Sequence, residues 1–136
     1  MSPSAEGVSY ECRVPRAPKP TTSPLLKVRH RIVCGKDFAF GPGKAQVLGS
    51  LLETGSLNRT ASAMKMSYVK ALALVHTMNT YFAEPLVVLS RGGSHGGGTQ
   101  VTETGRKVLA EYLAMCAASE KSAQPGWKKL RTFLKG

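Results

Sequence analysis

Acidic residues are scarce in this chain: eight Asp and Glu stand against nineteen Lys and Arg, a formal net charge of +11. The acids are dispersed, and no Ser–His or Cys–His arrangement stands out, so no catalytic constellation emerges and the chain reads as a non-enzyme. Cysteine is sparse. Cys12, Cys34 and Cys116 are odd in number and far apart, and imply no disulfide framework. His30, His76 and His95 form no short metal-spaced cluster with a cysteine or with one another, so neither a metal nor another cofactor is expected. No apolar run approaches the ~20 residues that span a bilayer. The N-terminus lacks the apolar stretch of a secretory signal, and a cytoplasmic location is expected.

What is present is positive charge, unevenly placed. Residues 25–36 hold Lys27, Arg29, Arg31 and Lys36 with no acid, and residues 121–136 hold Lys121, Lys128, Lys129, Arg131 and Lys135 with no acid. The remainder is nearly balanced. Such a distribution favours polyanionic partners, nucleic acid before anionic membrane. A chain of 136 residues, 42% apolar, has room for one domain with its own core.

Residues 1–24 carry five prolines among Ser and Thr and few apolar groups, and read as a disordered tail. Leu26 to Cys34 alternates with period two and predicts a strand, followed by a loop from Gly35 to Gly43. Val47, Leu48, Leu51 and Leu52 form one stripe of a helix over 44–54, closed by Gly55. Ser56 caps a short helix to about Met64, and Ser67 caps a third helix that runs to about Phe82. Leu86–Leu89 and Gln100–Thr102 predict a hairpin around the glycine-rich Arg91–Gly98. Thr102 caps a fourth helix with Glu103 in its first turn and Val108, Leu109, Tyr112, Leu113 and Cys116 as its stripe. Gln124-Pro125-Gly126 is expected to break the chain, leaving 121–136 as a basic tail. The fold class is mostly α with a small β wing. Two helices joined by a tight turn and followed by a hairpin give the order of a winged helix-turn-helix, here over residues 25–120.

In that arrangement the first turns of the third helix enter the major groove of double-stranded DNA. The groove-facing candidates are Ser67, Tyr68, Val69 and Lys70, with Leu72 and Ala73 one turn later. Ser67 and Tyr68 suit phosphates or base edges, while Val69 and Leu72 suit thymine methyl groups. The helix has no Arg and one Lys. Phosphate contacts therefore fall to Arg59 and Thr60 on the second helix, to Arg91, and to the two basic segments. The loop residues Gly92, Gly93, Ser94, His95 and Gly96 offer backbone N–H groups to phosphate or to the minor groove. No Gly-Lys-Ser/Thr follows the loop, so it is not a P-loop.

Several pieces stand in one order across residues 26–120: Phe40-Gly41-Pro42-Gly43-Lys44, Glu53-Thr54-Gly55-Ser56-Leu57, Met66-Ser67-Tyr68, Met78-Asn79, Pro85-Leu86-Val87, the run Gly92 to Gly98, and Val101-Thr102 with Gly105. In these the chain resembles the N-terminal domain of the molybdate-responsive ModE regulators, which is distantly similar to LysR-type regulators. The resemblance implies a winged helix-turn-helix that binds DNA in transcription regulation. It departs from the family at Ala71-Leu72, where Ala-Trp is usual, and at Thr60-Ala61, where paired alanines are usual. It covers only the DNA-reading part of the family, so molybdate is not expected on this chain.

A homodimer reading paired half-sites is the leading expectation, with the fourth helix as the contact. The alternative is a winged-helix protein-interaction module without sequence-specific DNA reading, in keeping with the weakly charged third helix. A third possibility is a membrane-surface segment formed by Trp127, Leu130, Phe133 and Leu134 opposite the terminal cations. At ten residues this segment is marginal as an isolated helix, and no membrane partner is expected.

Overall fold

A computed structural model describes residues 23–90 and 98–135. Four helices and two small antiparallel strand pairs follow one another as β1 (Ile32–Cys34), β2 (Asp37–Phe40), α1 (Pro42–Thr54), α2 (Leu57–Ala63), α3 (Tyr68–Tyr81), β3 (Val87–Leu89), β4 (Thr99–Val101) and α4 (Glu103–Arg131).

The first strand is shorter than its pattern predicts. From Lys27 to Arg31 exposed and half-buried residues alternate, as period two requires, but this stretch has no regular secondary structure. Pairing begins at Ile32, and a register irregularity between Ile32 and Val33 leaves Ile32 exposed. The partner is the segment Asp37–Phe40, which the sequence pattern leaves as loop. Gly35, at φ 62 in the left-handed region, reverses the chain so that Cys34 meets Asp37. β2 then delivers Phe40 to the centre of the core, edge-on to Phe82 at 5.9 Å and to Tyr112 at 5.0 Å between ring centroids.

α1 begins two residues before its predicted start, because Pro42 suits the first helical position, where no N–H is needed. Gly55 ends it at φ 66, with its N–H donating to the Leu51 carbonyl. Val47, Leu48 and Leu51 are buried as expected, whereas Leu52 is exposed. α2 packs on α3 through Ala61, Ala71, Val75 and Met78, all buried. The small side chains of Ala61 and Ala71 keep the two backbones close.

The fourth helix departs most from what its sequence predicts. α4 runs without interruption from Glu103 to Arg131, through Gln124-Pro125-Gly126. Proline lacks the N–H that would reach the carbonyl four residues earlier, Lys121, but the exposed helix continues on either side. The helix passes residue 121 without a break. Of its 29 residues only Gly105, Leu109 and Tyr112 are buried, and Leu113, placed on the predicted stripe, is exposed. The Tyr112 hydroxyl donates to the His30 carbonyl at 2.7 Å and pins the N-terminal extended segment to α4. Among the described residues, no helix is long and apolar enough to cross a membrane.

Candidate nucleic-acid interface

The turn between α2 and α3 is tightly bonded. Met64 N–H donates to Thr60 O, Lys65 N–H to Ser62 O and Met66 N–H to Ala61 O, all near 3 Å. Lys65 takes φ 57, the sole non-glycine residue at positive φ among the described residues. The long, exposed Lys65 side chain thus sits where glycine would be easier. Ser67 caps α3 as its sequence position predicts, its hydroxyl accepting from Lys70 N–H at 3.0 Å. Ser56 caps α2 in the same way, accepting from Arg59 N–H at 3.1 Å.

The faces of α3 then separate cleanly. Ala71, Val75 and Met78 are fully buried, while Tyr68 is 46% and Val69 73% exposed. Ser67, Lys70 and Ala73 are exposed and Leu72 is half-buried against the core. Arg59 is exposed at the start of α2. Six of the expected DNA-facing residues therefore reach solvent: Arg59, Ser67, Tyr68, Val69, Lys70 and Ala73.

Thr60 does not. Its side chain is 0% exposed; the hydroxyl donates to Ser50 Oγ at 3.0 Å and lies 3.4 Å from Thr54 Oγ1. Ser50 and Thr54 on α1 offer it hydroxyl partners that the sequence of α2 alone does not reveal. Thr60 ties α2 to α1 and is not available to a phosphate. Arg91, Gly92, Gly93, Ser94, His95 and Gly96 lie outside the described residues.

β3 and β4 pair as an antiparallel ladder. Val87 faces Val101, Val88 faces Gln100 and Leu89 faces Thr99. Ser90 closes the ladder by donating from both its N–H and its hydroxyl to Gly98 O, at 2.9 and 3.0 Å. Asn79, near the end of α3, holds the hairpin to that helix. Its Oδ1 accepts from Leu86 N–H at 2.8 Å and its Nδ2 donates to Val87 O at 2.9 Å. Thr102 closes the other side, its hydroxyl donating to Pro85 O at 2.7 Å and accepting from Gly105 N–H at 2.9 Å. In the sequence Asn79 stands out only as part of a motif; the clamp becomes visible when Leu86 folds back over α3.

Lys44 is the buried cation of the region. Its Nζ donates to Phe38 O at 2.7 Å, and burial lowers its pKa against the opposing influence of Asp37. Asp37 in turn accepts a hydrogen bond from Tyr81, which raises the phenol above its ordinary pKa. Among the described residues no group of three or more His, Cys, Asp or Glu is placed to hold a metal ion.

No family model matches the chain. It is 40% identical over 77 residues to the molybdenum transport protein ModE of Azotobacter vinelandii, covering 57% of this chain and 28% of that protein. It is 35% identical over 81 residues to the molybdenum-pterin-binding protein MopB of Rhodobacter capsulatus, covering 60% and 30%. With the transcriptional regulator ModE of Yersinia pestis it shares 30% identity over 97 residues, covering 71% and 35%. The chain spans about a third of the length of these curated relatives, and over more than half of its own length it is similar to ModE-type regulators.

Proposed function

We propose that this chain binds double-stranded DNA as a transcriptional regulator, through a winged helix-turn-helix made of α2, α3 and the β3–β4 hairpin. The observation that carries the reading is the division of α3. Ala71, Val75 and Met78 are locked into the core, while Ser67, Tyr68, Val69 and Lys70 project from the capped first turn. A rigidly seated helix with an exposed N-terminal turn is what major-groove reading requires. Arg59 and the loop from Arg91 supply phosphate contacts in this reading, and the excess of Lys and Arg supplies attraction to the polyanion. The name of one relative, the transcriptional regulator ModE of Yersinia pestis, supports the regulatory role. Molybdenum stays with the relatives whose names carry it. The dimer contact is assigned to α4, which leaves Leu113, Met115 and Leu130 exposed along its length.

Titration of a labelled duplex at about 50 and 200 mM salt tests the proposal, since neutralising several phosphates makes affinity fall steeply over that range. Absent or salt-insensitive binding would instead favour a protein-interaction module. The exposure of Val69 beside Tyr68 is the observation on its side.

A further inference from the structure

Taken alone, residues 127–136 are a basic amphipathic piece too short to hold a helix. In the structure they do not stand alone. α4 continues through Gln124-Pro125-Gly126 to Arg131. Thr132, Phe133 and Leu134 extend it by a turn, their N–H groups donating to the carbonyls of Lys129, Leu130 and Arg131. The segment is the end of a helix already anchored in the core by Leu109 and Tyr112. Beyond Cys116 no residue of α4 belongs to that core, and the helix from Ala117 to Arg131 is about 22 Å long.

Two chemistries are segregated on this end. Ala123, Trp127 and Leu130, at i, i+4 and i+7, share one face. Trp127 is half-buried and Leu130 exposed, and Phe133, at 84%, is the most exposed large apolar side chain among the described residues. Lys121 and Lys128 lie on the far side, Lys121 about 180° around the helix from Leu130. With Lys129, Arg131 and Lys135 they make five exposed cations and no acid.

The charge selects what covers the apolar groups. A second copy would set five cations against five, so the dimer contact assigned to α4 falls to Leu113 and Met115. A phosphate backbone would answer the cations but leave Leu130 and Phe133 in water. A bilayer with anionic headgroups answers both, since acyl chains take the apolar face while headgroups meet the cations.

We propose that the last turns of α4 bind the surface of an anionic bilayer, with Trp127, Leu130 and Phe133 at the boundary of headgroups and acyl chains and the five cations against the headgroups. What α3 reads does not enter into it.

Trp127 is the chain's one tryptophan and reports on this face directly. The full chain is mixed with vesicles of phosphatidylcholine alone, or of phosphatidylcholine and phosphatidylglycerol in equal parts, and Trp127 emission and co-sedimentation are followed. With the anionic vesicles only, emission should move to shorter wavelength and become shielded from acrylamide, and rising salt should weaken binding. Lys128→Gln with Lys129→Gln should weaken it about fivefold for each cation removed. Leu130→Ser with Phe133→Ser keeps every cation and should melt like the parent, yet lose affinity by about tenfold or more. Vesicle binding without an emission change, or unchanged binding by the serine variant, makes the attraction one of charge alone and overturns the proposal. No binding to anionic vesicles also overturns it and leaves the face to a protein partner. An emission shift that tracks protein concentration without vesicles overturns it in favour of a second copy.

Discussion

Gly105 lies so close to Leu86 that a Cβ on the glycine would stand 2.3 Å from the Leu86 carbonyl oxygen and 2.7 Å from Cγ1 of Val101. The same carbonyl accepts from Thr102 N–H at 2.9 Å. The start of α4 is thus pressed onto the base of the β3–β4 hairpin, and this close approach exists only because residue 105 has no side chain.

Gly105→Ala should therefore destabilise the protein, although Ala favours a helix over Gly by about 1 kcal/mol. The obstacle is backbone, which cannot swing aside, and overpacking of this kind costs about 1–3 kcal/mol. A urea unfolding midpoint above that of the parent would refute the close packing of α4 on Leu86.

Asn79→Ala should cost about 1–3 kcal/mol, because it leaves the Leu86 N–H and the Val87 carbonyl without their side-chain partner. The effect should be local first. Hydrogen exchange at Leu86 should quicken more than at Val75 in the middle of α3. Equal acceleration at the two sites would mean that Asn79 does not specifically clamp the hairpin.

Tyr68→Ala with Lys70→Ala should leave the melting curve nearly unchanged, since both residues are exposed and surface changes usually stay within about ±0.5 kcal/mol. Discrimination between duplexes should fall by about 1–3 kcal/mol for each base edge that is no longer read. Ala71→Asp should do the reverse and unfold the domain by burying an unpaired charge between α2 and α3. If the double alanine variant retains full discrimination, α3 does not read DNA.

Lys44 should impose an alkaline pH dependence. Burial disfavours its ammonium, so its folded-state pKa lies below the ordinary 10.5. Below the folded pKa both states carry the proton and the burial cost is fully present. As pH rises through the folded pKa towards 10.5, the folded state sheds its proton first and stability rises. Tyr81 acts oppositely: its raised pKa gives stability that is lost as pH climbs past 10.0. Tyr81 contributes to parent and Lys44→Met alike, so the difference between their stability curves isolates Lys44. A constant difference across that pH range would remove Lys44 as its cause.

Where local chemistry dominates, the chain is legible directly. Ser56, Ser67 and Thr102 each accept the N–H three residues on, as short hydroxyl side chains before apolar periodicity do. The stripe Ala71, Val75 and Met78 follows from the helical repeat. The extended run Lys27–Arg31 keeps its predicted alternation of exposure.

Tertiary structure decided the rest. Asp37–Phe40 carries little strand pattern of its own and becomes β2 because Gly35 folds it back on β1 and the core takes Phe40. Thr60 looks like a surface polar residue on α2 until α1 brings Ser50 and Thr54 to its hydroxyl. Arg29 and Arg31 are merely basic residues in the sequence; the fold brings them beside the uncapped start of α1. Caps and stripes depend on residues three or four apart, which a sequence displays, whereas a strand partner, a buried hydroxyl network or a cleft depends on which distant segments meet.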